Sequence, residues 1–173
     1  MNFSIRAIIR GFVAPNHRLS CPRELWHTGL RELKSRGGGQ RESGAFLLGK
    51  NHDGIRRIFR FVYYDDLDPH CLDQGYVVFD GSGYSMLWQL CEKTGLTVVA
   101  DIHTHPGAPF QSQSGRCNPM VALRGHIALI VPDFATRLAL PGQLGIYEYE
   151  GEHRWKNHTG KNAAKYFYVG MWS

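Results

Sequence analysis

The hydrophobic positions change period several times along the 173 residues, and each change predicts an element. Up to Ser20 the pattern is short and extended, with a turn near Pro15. Leu25, Trp26, Leu30 and Leu33 then recur on one broad helical face. Pro22 suits a first helical position and Glu24 follows it, so a helix runs to about Arg36, where Gly37, Gly38 and Gly39 end it. The apolar run Ala45 to Gly49 predicts a short buried strand. NHDG at 51–54 turns it into a second strand, Ile55 to about Tyr64, and the pair reads as a hairpin. DDLDP at 65–69 reads as a loop and Tyr76 to Phe79 as another strand. DGSG is a turn offering Ser82 as a helix N-cap. Tyr84, Leu87, Trp88 and Cys91 are spaced as a core-facing helical stripe over residues 83–94, capped by Gly95.

Next comes VVADIHTHPG, Val98 to Gly107, a β-rich run that ends in two histidines and a Pro-Gly break. Strand alternation puts Thr97, Val99, Asp101, His103 and His105 on one face, with Val98, Ala100, Ile102 and Thr104 on the other. Two imidazoles one strand period apart, roughly 6.5–7 Å at Cα, can lean onto one metal ion held about 2 Å from each nitrogen. Pro106 has no backbone donor and Gly107 relaxes the dihedral limits, so the chain can leave the histidines at the rim of a cleft. After a polar loop over 106–118, Asn118-Pro119 predicts a short helix ending at Gly125. HIALIV at 126–131 is a buried strand, and residues 143–150 with the Trp155 region complete a mixed sheet. The order of elements predicts an α/β (α+β) fold, a mixed β-sheet flanked by helices, in one domain spanning 1–173.

Composition narrows the class without changing the fold. The 43% hydrophobic content and 20 glycines suit a turn-rich globular domain. The four cysteines, Cys21, Cys71, Cys91 and Cys117, show neither CxxC nor knuckle spacing, which argues against a disulfide framework or structural zinc module and for a reducing cytoplasm. The short apolar run near the start is broken by Arg6 and Arg10, and nothing later approaches a membrane span; a soluble protein is expected. A net charge of +5 permits an acidic partner. The densest basic cluster, Arg56, Arg57 and Arg60, is divided between strand faces, however, so neither nucleic acid nor membrane is expected as a partner.

A catalytic zinc site needs a further ligand and a base beside its histidines. Glu42 precedes the first buried strand next to the small residues Ser43 and Gly44; it reads either as that base or as a solvated loop acid. The combination of Glu42 in RESGAFLLG, His103-Thr-His105-Pro-Gly and Ser112 in a polar loop resembles the JAMM or MPN (JAB-domain) zinc metalloproteases of the bacterial, deubiquitinase-like type. The resemblance spans Glu42 to about Pro132. It implies the JAMM/MPN, cytidine-deaminase-like architecture and one Zn2+ held by His103 and His105. Glu42 would be the general base and Ser112 would steady the tetrahedral intermediate. It further implies hydrolysis of the peptide or isopeptide bond at the C-terminus of a ubiquitin-like or sulfur-carrier protein, whose extended tail lies along a strand edge.

In one respect the chain departs from that family. Where the pattern has aspartate three residues after the serine, as third zinc ligand, this sequence has Gly115. Counting from Ser114 instead reaches Cys117, whose thiolate would bind zinc. Asp101 shares the histidine face, and Asn118, His126 and Asp133 are open too. Two readings follow: a working zinc isopeptidase with a substituted third ligand, or an MPN-like binding module with an impaired zinc site that recognises a ubiquitin-like protein or scaffolds a complex without cutting.

Overall fold

The computed structural model describes residues 16–79 and 81–171, so the reading of the first 15 residues lies outside it. Eight strands form one mixed sheet: β1 (Leu19–Pro22), β2 (Gly44–His52), β3 (Ile55–Tyr63), β4 (Thr97–Thr104), β5 (Ile127–Val131), β6 (Gly145–Gly151), β7 (Arg154–Asn157) and β8 (Phe167–Gly170). They lie in the order β7-β6-β5-β4-β2-β3-β1-β8. The histidine strand β4 is therefore interior, antiparallel to β2 and parallel to β5. The α/β class expected from the sequence is the class observed.

Two helices cover opposite faces. Helix α1 (Arg23–Gly37) ends where Gly38 takes φ 60° and its N–H reaches the Ser35 carbonyl, the left-handed cap that glycine allows. It buries Trp26, Leu30 and Leu33 against Ala45, Leu47, Ala100 and Ile102. Short helix α2 (Tyr64–Leu67) follows β3, and α3 (Gly81–Thr94) packs on the other face, where Leu87 meets Phe46, Leu48, Val62 and Tyr64. Helix α4 (Gln113–Cys117) and helix α5 (Ala163–Tyr166) are both short. Among the described residues no helix is long and apolar enough to cross a membrane.

Several local expectations are corrected. Residues 65–69 do not form a simple loop, because Tyr64–Leu67 closes one helical turn with Tyr64 buried. Tyr76 to Phe79 joins no ladder; the Val78 N–H goes to the Cys71 carbonyl instead. The short helix after the histidine loop lies at 113–117, begun by Ser112 as N-cap, and 118–125 is a run of turns. Helix α3 starts at Gly81, before Ser82. Its stripe is only partly core: Leu87 is fully buried, Tyr84 and Cys91 are half-buried, and Trp88 keeps 47% of its surface exposed. The rotation of α3 over the sheet points Gly83 and Leu87 inward, which helical spacing alone does not fix. The register of β4 against β2 slips between Leu47 and Leu48. This bulge puts Val99 in the α1 core with Ala100, and Val98 against the α3 cluster, reversing their expected faces. Below the bulge alternation resumes, and Asp101 and His103 share a face as expected, the one that α3 covers.

Candidate active site

At the C-terminal end of β4 the backbone is clamped from both sides. Thr104 N–H donates to the Ser43 carbonyl, Ser43 N–H to Thr104 Oγ1 (3.0 Å), and Ser43 Oγ to the Leu33 carbonyl (2.7 Å). That clasp fixes the residue before it, Glu42, beside the histidines. His105 N–H donates to the Val131 carbonyl at the end of β5, and the His105 carbonyl accepts from Phe134. Asp133, Phe134 and Ala135 all take φ of 50–55°, a left-handed turn of three non-glycine residues. Such a turn costs roughly 1–2 kcal/mol per residue. Its amides hold the His105 and Gly107 carbonyls, and so shape the Pro106-Gly107 break.

The two imidazoles converge: Nε2 of His103 and Nε2 of His105 are 3.0 Å apart. Glu42 Oε1 lies 3.8 Å from His105 Nε2. The structure thus brings Glu42, His103 and His105 together. Burial raises the Glu42 pKa above the usual carboxylate range; the nearby His103 ring and a hydrogen bond from the Val77 backbone N–H act in the opposite sense. Burial, with repulsion from His103, pushes the His105 pKa down to about 4, although a backbone hydrogen bond at Phe110 acts the other way. His105 is consequently a neutral imidazole at pH 7, the form that binds metal.

Behind the pair sits a buried carboxylate. Asp101, 1% exposed, lies 2.6 Å from His126 Nε2 and 3.6 Å from His103 Nδ1, and Tyr64 donates its hydroxyl to Asp101 Oδ2 at 3.3 Å. Burial by itself disfavours the ionised form, but the His103 and His126 rings outweigh it and hold the carboxyl at about 2. Gly44 makes room for this arrangement, because a Cβ there would lie 2.3 Å from the Tyr64 ring. Asp101 faces Nδ1 of His103, away from the nitrogens that converge. Its contact is with the outer nitrogen of that ring, and His126 is bonded to the same carboxylate. Sequence reasoning left this support network open because its members are 37 and 25 residues from Asp101 along the chain.

These groups line a cavity of about 600 Å³ that also contains Ser112, Ser114, Gly115 and Asn118. Ser112 Oγ accepts the Gly115 N–H at 3.0 Å, which leaves its hydroxyl proton available to donate. Cys117 is exposed and does not line the cavity. Asn118 lines the wall and donates to the Ser114 carbonyl, while Asp133 pairs with Arg137 on the surface.

Nitrogen ligands of one tetrahedral zinc, each about 2.0–2.1 Å from it, lie about 3.3 Å apart. The 3.0 Å separation of the two ring nitrogens therefore fits a shared cation, and His103 and His105 fit two of its ligands. Among the described residues no third side-chain ligand joins them. Among the described residues no group of three His, Cys, Asp or Glu forms a metal cluster, and Gly115 contributes no side chain.

The fold and site define a mixed α/β domain whose sheet carries a histidine pair and a glutamate into one cleft. No protein-family model matches the sequence. Over 63 residues, 36% of this chain, it is 30% identical to a protein of Sinorhizobium fredii (strain NBRC 101917 / NGR234) named Probable metalloprotease y4jG, and that alignment spans 39% of the relative. A metalloprotease-like protein thus stands among its distant relatives. The fold is similar to the solution structure of protein DSY2949 from Desulfitobacterium hafniense. The TM-score is 0.59 at 15% identity, covering 87% of this chain and 92% of that one. That likeness is one of fold alone.

Proposed function

We propose that the protein is a zinc-dependent peptidase or isopeptidase of the JAMM type. The observation that carries this reading is the approach of the Glu42 carboxylate to a converging pair of histidine nitrogens inside an open cavity. His103 and His105 would hold a divalent metal, which would supply Lewis-acid polarisation. Glu42 takes a proton from the water that attacks the scissile carbonyl carbon. As the C–N bond breaks, it delivers that proton to the departing amine nitrogen. Its raised pKa suits both halves of the exchange. Ser112 donates its free hydroxyl hydrogen to the developing oxyanion, a contribution of about 3 kcal/mol in comparable sites. Asp101 keeps His103 Nδ1 engaged so that Nε2 faces the cavity.

The substrate we infer is the extended C-terminal tail of a ubiquitin-like or sulfur-carrier protein, held through its backbone. The four free thiols suit a reducing cytoplasm. A specific observation favours a second reading: with Gly115 at the position of a third ligand, a weak metal site would leave a domain that binds such tails without cutting them.

Elemental analysis of the protein purified without added metal or chelator separates the two. Stoichiometric zinc that is lost in both His103→Ala and His105→Ala, with peptide hydrolysis lost in Glu42→Gln, supports the hydrolase. Negligible zinc in the parent and a full equivalent in Gly115→Asp supports the binding module.

A further inference from the structure

Among the described residues no third His, Cys, Asp or Glu stands with His103 and His105, and Gly115 has no side chain. A glutamine carboxamide is a donor of another type. Its carbonyl oxygen carries two lone pairs, and such oxygens ligate divalent cations. Gln111 lines the cavity together with Glu42, His103 and His105.

Three contacts fix where Gln111 stands. The His105 ring is hydrogen-bonded to the backbone of Phe110, which is joined directly to Gln111. The Gln111 N–H donates to the Tyr147 hydroxyl oxygen at 3.3 Å, and that hydroxyl donates to the Pro109 carbonyl at 3.4 Å, so this stretch of loop is pinned to β6. On the other side, a Cβ at Gly115 would lie 3.4 Å from Ser112 Oγ and 3.8 Å from Gln111 Cγ. The Gln111 side chain therefore borders the space into which a side chain at 115 would grow, and its backbone adjoins a residue bonded to one histidine of the pair.

Gln111 Oε1 is also buried without a hydrogen-bond partner among the described residues. A buried carbonyl oxygen that has lost water and found nothing in return is destabilising, and in a native fold it calls for a partner the chain does not supply. Its neighbours on this wall are engaged: Ser112 Oγ accepts the Gly115 N–H, and Asn118 donates to the Ser114 carbonyl. The terminal torsion of glutamine is soft, so the carboxamide can turn toward a cation without moving the backbone.

We infer that the Gln111 carboxamide oxygen is the third protein ligand of the metal, standing in for the carboxylate that Gly115 cannot provide. The inference rests on the reading of His103 and His105 as metal ligands. Two imidazoles and an amide bind as uncharged donors, where an aspartate would cancel one unit of the cation's charge. Zinc is therefore held, but less tightly than by a carboxylate in the same place.

The test uses the whole chain stripped of metal, titrated with zinc against a chromophoric chelator and with cobalt(II) followed by its visible absorption. Gln111→Leu keeps the bulk and removes the oxygen; zinc affinity should fall at least about tenfold, and the cobalt bands should shift. Gln111→Glu puts a charged oxygen at the same reach and should tighten zinc at least about tenfold. In a Gly115→Asp background, where the aspartate takes the third position, Gln111→Leu should weaken zinc by less than about threefold, a coupling that a merely structural role would not produce. Thermal melts of the metal-free variants check that the wall is intact, and if Gln111→Leu melts early, Gln111→Glu decides alone. Unchanged zinc affinity and cobalt spectrum in Gln111→Leu, with zinc still lost in His103→Ala, would overturn the inference and leave the hydrolase reading standing. An equal penalty in both backgrounds, or no tightening in Gln111→Glu, would overturn it as well. Zinc retained by both His103→Ala and His105→Ala would remove the metal site itself, and the inference with it.

Discussion

Asp101 and His103 lie on one face of β4 and His105 follows directly after the strand, yet two residues of sequence separate opposite environments. At Asp101 the carboxylate is dry and surrounded, with His126 and Tyr64 bonded to it and His103 alongside. At His103 and His105 two ring nitrogens face each other at 3.0 Å beside an open cavity, with a carboxylate 3.8 Å beyond. The first region is satisfied and therefore rigid. In the second, two ring nitrogens meet each other at the edge of open space. Polar groups that find all their partners within the fold give it shape, and those held in place without partners are where chemistry can occur.

The largest expected effect comes from the open region. Glu42→Gln keeps the size of the side chain and removes the base; peptide turnover should fall by about 10²–10⁴, with circular dichroism and metal content unchanged. Normal turnover by that variant would end the assignment of Glu42.

Next is the closed region. Asp101→Ala strips the buried His126 ring, the half-buried His103 ring and a phenol of their common partner, so stability should fall by about 3 kcal/mol in urea titration. Metal affinity should drop about 10–100-fold, because His103 is no longer oriented. If Asp101 instead served as a ligand, Asp101→Asn would abolish metal binding altogether while leaving much of the stability.

Gly115→Asp carries the comparison across the gap. A Cβ at Gly115 would sit 3.4 Å from Ser112 Oγ and 3.8 Å from Gln111 Cγ, so the substitution fits. Zinc affinity should rise at least about tenfold, or 1.4 kcal/mol, in a chelator competition. No gain would mean that the wall at 115 is not beside the metal.

The two regions should also part in acid. His105 has a folded-state pKa of about 4 against the ordinary 6.5, so folding disfavours its protonation. Stability of the metal-free protein should be full above pH 6.5, decline as pH falls toward 4, and lose no more from this group below that. Asp101, at about 2 against 3.8, contributes stability that is intact above 3.8 and lost only as pH falls toward 2. His105→Gln should therefore flatten the upper limb of a thermal-melt pH profile and leave the lower one. Smallest of all, Cys117→Ser should change neither zinc content nor stability by more than about 0.5 kcal/mol, since the thiol is exposed and outside the cavity.

The sequence by itself determined the elements whose signal is local. Helix α1 followed from Leu30 and Leu33 at helical spacing with three glycines behind them, and the hairpin from an apolar run and NHDG. The side-by-side placement of His103 and His105 followed from strand alternation. Glu42 was legible as a candidate from the small residues Ser43 and Gly44 that follow it before a buried strand, together with the family resemblance. Local pattern could not fix whether Glu42 faced the cleft. That depended on the Ser43–Thr104 clasp, formed across 61 residues. Nor could it foresee the β4 bulge, which is a misfit between two strands, or the ladderless path of 76–79. The pairing of Asp101 with His126 and Tyr64, and the position of Cys117 outside the cavity, were decided by tertiary structure alone. Periodicity tells which face a side chain takes; which partner meets it there is set by how distant segments pack, and only that pairing divides support from site.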